Sequence, residues 1–252
     1  MSGQRAPAAD RPVPDRPAPG RADRRRSGSG GGPHLLVIAK TPVPGRVKTR
    51  LTPPYSPVQA ARLAAAALAD TLDAVAGACR SLGARPMVVL DGEPGPWLPP
   101  GFTVVAQATG SFDTRLAAAF DAVRGQPALL IGMDTPQIGQ DELVAALLEL
   151  RAGADAVLGR ALDGGWWALG LRASAGGLVR GVATSTPDTG ACQLARLRAA
   201  GLGVVELPVL RDVDTAADVA PVAALAPGGR FAAAVHELGL CPGVAARPAG
   251  ER

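Results

Sequence analysis

The chain has 252 residues, 47% of them apolar and only 3% aromatic, with a formal net charge of +4. That length can bury a full core, which Ala, Leu and Val must build. No run approaches the eighteen apolar residues of a membrane span, and MSGQRAPAAD lacks an apolar signal segment, so the expectation is a cytoplasmic protein with no membrane partner.

The charge is unevenly placed. Residues 1–32 hold seven Arg and three Asp, which accounts for the whole excess. The high pI therefore gives no reason to expect a specific nucleic-acid partner. Residues 1–32 are rich in Arg, Pro, Gly and Ser, with almost nothing to bury. They read as a disordered Arg/Pro-rich tail, leaving residues 33–252 as a single domain. Cys79, Cys192 and Cys241 are far apart and read as buried small hydrophobes, not as a disulfide or zinc framework. Imidazole could come only from His34 and His236. Lysine occurs only twice, at Lys40 and Lys48, both in one short segment.

The elements follow in chain order. Leu35–Ala39 is a short apolar run and predicts a buried strand. The segment TPVPGRVKTRLTPP has too much Pro for a helix and too many charges for a strand, so it is a loop at that strand's end. Ser56, Pro57 and Gln59 supply an N-cap, a first-turn proline and an N3 partner. The helix they open carries Leu68, Leu72, Val75, Cys79 and Leu82 as one stripe and stops near Gly83. Strands are predicted at 86–90 and 102–106, a helix over 112–124, and a strand at 128–131 that runs into Gly132-Met133-Asp134-Thr135-Pro136. A helix over 141–151 precedes strands at 154–158 and 166–171, with 160–165 as a loop. Thr186-Pro187 caps a helix to about Ala200, a strand covers 203–207, and two short helices near 216–226 and 229–238 finish the domain. This alternation predicts a mostly parallel sheet covered on both faces.

Ligands of such sheets lie at the carboxyl ends of the strands. Four unusual segments fall at strand ends. Lys40, Arg46, Lys48 and Arg50 surround Pro42, Pro44 and Gly45, a glycine turn with converging cations suited to a di- or triphosphate. The spacing is neither a Walker A loop nor a dinucleotide fingerprint. Asp134 follows ALLIG and could bind Mg²⁺ on phosphates or cap the turn before Pro136. Asp163, followed by Gly164 and Gly165, could bind metal, activate an acceptor or cap its own turn. Asp212 and Asp214 project to one side if extended, or favour the N-terminus of a helix capped by Thr215.

Four segments carry a resemblance: AKTPVPGRVKTRL (39–51), LLIGMDTPQI (129–138), VLGRALDGGWWALGL (157–171) and DVDTAADV (212–219). In this order they resemble a bacterial family of glycosyltransferase-like, radical-SAM/selenodomain-associated transferases type 1 (DUF2064), of the GT-A nucleotide-diphospho-sugar transferase superfamily. The resemblance implies a three-layer α/β/α sandwich with a mostly parallel central sheet. It implies a nucleotide-binding first loop of Ala39, Lys40, Pro44, Gly45, Lys48 and Arg50, with Gly164 and Gly165 on the acceptor side. It implies Asp134 and Asp214 as ligands of Mg²⁺ or Mn²⁺. Arg115 and Leu116 match the family, whereas Arg160, Leu162, Trp166 and Trp167 depart from its usual residues.

The expected activity is metal-dependent transfer from a nucleotide-activated donor. Lys48 and Arg50 would stabilise phosphate charge, and Asp163 would act on the acceptor. Nucleotidyl transfer from a nucleoside triphosphate to a phosphorylated small molecule leads. Glycosyl transfer from a nucleotide-sugar and nucleotide binding without turnover are the alternatives. The oligomeric state is left open. At least one of Trp166 and Trp167 should lie in the core, because neighbouring strand positions face opposite ways.

Overall fold

The apolar runs become the strands of one seven-stranded sheet. The computed structural model describes residues 32–239; the expected tail up to residue 31 and Cys241 lie outside the described residues. The strands are β1 (His34–Lys40), β2 (Arg85–Asp91), β3 (Thr103–Ala106), β4 (Ala128–Ile131), β5 (Ala156–Ala161), β6 (Trp166–Leu171) and β7 (Val204–Leu210). Their order across the sheet is β3-β2-β1-β4-β6-β5-β7. All neighbours are parallel except β6, which runs antiparallel to both β4 and β5. Only residues 162–165 separate β5 from β6, too few for a parallel crossover.

Both faces are covered, as the two-sided apolar strands require. Leu35, Val37 and Ala39 of β1 face one cluster with α1 (Pro57–Leu82) and α3 (Gln140–Ala152). Leu36 and Ile38 face the opposite cluster with α2 (Phe112–Asp121) and α4 (Thr189–Ala199). The result is an α/β/α sandwich. The predicted capping box forms: Ser56 Oγ accepts from the Gln59 amide at 3.2 Å, and Gln59 Oε1 accepts from the Ser56 amide at 2.8 Å.

A third cluster joins α1 to α5 (Ala216–Leu225) and α6 (Arg230–Leu238). It contains Leu51 and Val213, so it ties the end of the basic loop to the DVDT segment. The site depends on that tie.

Several boundaries differ from expectation. β5 begins two residues later than predicted and runs through Arg160 to Ala161, with a register shift at Gly159/Arg160. β7 continues past Pro208 to Leu210; it pairs only with β5 at the sheet edge, where proline is tolerated. α4 starts at Thr189, not at Pro187, and α2 ends at Asp121. Cys79 is buried as expected, and burial pushes its thiol up to about 11. Cys192 is not buried: it sits on the exposed face of α4. No helix among the described residues is long and apolar enough to cross a membrane.

Candidate functional site

The strand order reverses beside β1. The chain moves outward through β2 and β3, then returns to β4 on the other side. Such a switch leaves a crevice at the carboxyl ends of the two central strands. Lys40 ends β1, and Asp134 follows β4 by three residues.

Two adjoining cavities open there, of about 850 and 370 Å³. Asp134, Asp214, Arg50 and Phe112 line both and form the shared wall. The smaller cavity is cationic, with Lys40, Arg46, Lys48 and Arg115 around it. The larger one presents Asp163, Asp212, Trp166 and the Thr184–Thr186 segment.

Lys48, which lines the smaller cavity, bridges the two aspartates of the shared wall. Its backbone is left-handed (φ 49°), capping the short 3₁₀ turn Thr49–Leu51, and Leu51 is fully buried. The side chain is only 10% exposed. Its ammonium lies 2.6 Å from Asp134 Oδ1 and 3.6 Å from Asp214 Oδ1, and it donates to the Val213 carbonyl. The Val213 amide donates in turn to the Asp134 carbonyl at 2.8 Å. Val213 therefore joins the two acidic segments through its backbone. Arg50 Nη1 reaches Asp214 Oδ2 at 3.4 Å.

The sequence shows no acid within the basic loop, yet the fold supplies acids from elsewhere. Lys40 faces Asp91 at 3.6 Å across the β1–β2 pair, while its amide donates to Met133 Sδ. The Ala39 carbonyl accepts from Gln107 Nε2 at 2.7 Å. Pro44 and Gly45 are exposed and line neither cavity.

On the acidic side, single carboxylate oxygens of Asp163, Asp212 and Asp214 lie within 4.8 Å of one another. Burial, then the charges of Asp163 and Asp214, push Asp212 up to about 6. Asp163 also caps its own turn, accepting from the Gly165 amide at 2.8 Å. Gly165 lines the larger cavity and Gly164 does not. Gly164 has φ +90°, and a Cβ there would lie 1.8 Å from the Pro187 carbonyl oxygen. Its own carbonyl accepts from the Gly190 amide at 2.8 Å. Gly164 thus seats the β5–β6 hairpin on the start of α4. The two tryptophans divide as expected. Trp167 is buried over Gly159 and donates from Nε1 to the Pro208 carbonyl at 3.0 Å, while Trp166 is half-buried and lines the cavity.

The predicted metal ligands can be tested on this geometry. Asp134 and Asp214 already converge on one cation, the Lys48 ammonium. Their oxygens are hard donors of the kind Mg²⁺ and Mn²⁺ take, so the donor set fits. Asp214 also belongs to the three-carboxylate cluster, and Asp134 does not.

Sequence reasoning missed two features. Gln107, just past β3, accepts from Arg115 Nη1 at 3.0 Å and holds that guanidinium, which stacks 5.0 Å from the Phe112 ring. A lone polar residue at a strand end, eight positions before an Arg, was the available signal. The sequence marks Thr186-Pro187 as a cap, but not Thr184 and Ser185 as part of the cavity wall. Their signal was a run of hydroxyl residues ahead of a helix that faces the DGG turn.

The profile of a family of uncharacterised proteins conserved in bacteria (DUF2064) matches residues 58–186. That range includes the segments at 129–138 and 157–171, but not those at 39–51 and 212–219. No curated protein matches. Among solved structures, a candidate nucleotide-diphospho-sugar transferase from Desulfovibrio desulfuricans is 25% identical with a TM-score of 0.73, over 82% of this chain and 95% of that one. A cytidylyltransferase from Leptospira borgpetersenii is 9% identical with a TM-score of 0.49, over 83% and 94%. A manganese complex from Mycobacterium tuberculosis is 20% identical with a TM-score of 0.47, over 76% and 97%. The sandwich is thus of the GT-A type, shared with the Desulfovibrio protein, and the chain belongs to the bacterial DUF2064 family.

Proposed function

We propose that the chain is a nucleotide-utilising transferase that moves a nucleotidyl group from a nucleoside triphosphate to a small-molecule acceptor. One observation carries the reading: a cation-lined cavity and an acid- and aromatic-lined cavity meet at a wall made of Asp134, Asp214 and Arg50. A polyphosphate suits the first cavity, and an acceptor with hydroxyl groups suits the second.

In this reading Lys40, Arg46, Lys48 and Arg50 bind and orient the phosphates. Asp134 and Asp214 hold a divalent cation, which when bound would neutralise phosphate oxygens. The acceptor oxygen attacks the α-phosphorus, the bond to the β-phosphate oxygen breaks, and pyrophosphate leaves. The acceptor's proton passes to the Asp163–Asp212 carboxylate pair, which lines the acceptor cavity. Lys48 and Arg50 stabilise the charge that grows on the leaving phosphate.

Glycosyl transfer from a nucleotide-sugar is the second reading, favoured by the likeness to the candidate Desulfovibrio nucleotide-diphospho-sugar transferase. A thermal-shift screen of nucleoside triphosphates and nucleotide-sugars, with and without Mg²⁺ or Mn²⁺, separates the two. Metal-dependent stabilisation by a triphosphate, followed by pyrophosphate release with an acceptor, supports the first. Selective stabilisation by a nucleotide-sugar replaces it with the second, and no stabilisation by either class overturns both.

A further inference from the structure

Lys48 does something in this structure that phosphate binding does not require. Its ammonium occupies the point on which Asp134 and Asp214 converge, 2.6 Å and 3.6 Å away. The Val213 carbonyl completes the cage. Arg50 takes the other oxygen of Asp214, so that carboxylate has a cation at each oxygen. The main chain of Lys48 is fixed by the turn and by buried Leu51, but its four-carbon stem can swing.

We infer that Lys48, assisted by Arg50, is a resident substitute for the divalent cation, so that the site takes its metal as a polyphosphate chelate and not as the free ion. A divalent ion arriving alone must enter beside an ammonium already on both carboxylates, and like charges repel. A polyphosphate brings the anion that draws the ammonium away, and the carboxylates then become available to the metal it carries. Metal and polyphosphate binding are therefore coupled, and by linkage the coupling is reciprocal. The polyphosphate half of this inference rests on the proposed nucleotide reading. The occupied-carboxylate half rests on the Lys48 contacts alone.

The test is Mn²⁺ binding to the full chain without nucleotide, followed by electron paramagnetic resonance. Lys48→Met removes the charge and keeps most of the stem. It is expected to bind Mn²⁺ at least about tenfold more tightly than the unmodified protein, within the usual range of coupling between sites. Lys48→Arg keeps the charge and is expected to stay as weak as the unmodified protein. Adding Asp134→Asn to Lys48→Met should erase the gain, as a double-mutant cycle requires. Unchanged or weaker Mn²⁺ binding in Lys48→Met, or a gain that survives Asp134→Asn, overturns the inference.

A second measurement needs no variant. Calorimetry on the unmodified protein should show the Mn²⁺–tripolyphosphate chelate binding at least about tenfold more tightly than Mn²⁺ alone. Equal affinities overturn the coupling. Failure of the nucleotide reading would show separately, as no response in the nucleotide screen with the Lys48→Met gain in Mn²⁺ affinity intact.

Discussion

Replacing Gly164 by alanine tests how the acceptor cavity is built. The residue has φ +90°, and the added Cβ would meet the Pro187 carbonyl oxygen at 1.8 Å. That atom is backbone, so no side-chain rotation relieves the contact. Gly45→Ala is the matched control, because Gly45 also has positive φ (+77°) but nothing lies within 4 Å of its Cβ. Backbone strain of this kind costs about 1–2 kcal/mol, and overpacking adds about 1–3 kcal/mol. Gly45→Ala should therefore lose only the strain part, whereas Gly164→Ala should lose about 2–5 kcal/mol. For a domain of this size that corresponds to a fall in Tm of roughly 4–20 °C. Urea unfolding of both variants and the unmodified protein measures the difference directly. Because Pro187 adjoins the Thr184–Thr186 wall of the larger cavity, Gly164→Ala should also weaken acceptor binding in whatever fraction stays folded. Equal destabilisation of the two variants would refute the packing role and leave only the glycine's conformational freedom.

Asp134→Asn should abolish metal-dependent nucleotide stabilisation while keeping the fold, since Lys48 retains Asp214 and the Val213 carbonyl; retained metal dependence in the thermal-shift assay would remove it from the site. Lys48→Ala should weaken triphosphate binding more than nucleoside binding by calorimetry, and equal losses would assign Lys48 a purely structural role. Trp167→Phe leaves the Pro208 carbonyl without the indole donor and should cost about 1–3 kcal/mol in urea unfolding, whereas Trp166→Phe should leave the unfolding midpoint nearly unmoved. Burial, and secondarily the Arg85 cation, hold the His34 imidazole below its ordinary 6.5, against the opposing hydrogen bond that its Nε2 makes to the Gln126 side-chain oxygen. The unfolded chain therefore takes up the proton first. The stability this gives is complete above about pH 6.5 and is lost as the pH falls through the lower folded value. His34→Asn should flatten that decline between pH 7.5 and 5, and an unchanged pH profile would refute the assignment.

Much of the fold was legible because local and global demands agree. Leu35–Ala39 and Ala128–Ile131 are apolar on both faces, which only a covered central strand tolerates. The Ser56 and Gln59 pair announces the start of α1 by itself. Where the reading slipped, a neighbour absent from the local sequence decided the matter. The apolar pattern ends the expected strand at Leu207, and the edge position of β7 lets it continue through Pro208 to Leu210. Cys192 looked like a small hydrophobe, but the face of α4 that carries it is turned away from the sheet. The direction of β6 was readable, since the seven residues between the expected strands at 154–158 and 166–171 are too few to return a strand in parallel.

The candidate site was legible as a set of residue types and not as a set of pairs. The basic segment and the spaced aspartates each stood out, but nothing in either says that Lys48 would sit on Asp134 and Asp214. That pairing is made at long range. Leu51 and Val213 share a core cluster with α5 and α6, and this draws the turn after Lys48 against the segment before Asp214. The Val213 main chain then bonds to Asp134 on one side and accepts from Lys48 on the other. Burial in one apolar cluster of residues 162 positions apart in sequence thus brings the members of a charged triad together. The GT-A sheet explains where a ligand must lie, at the β1–β4 crevice, and the third core cluster explains why that crevice already contains a cation.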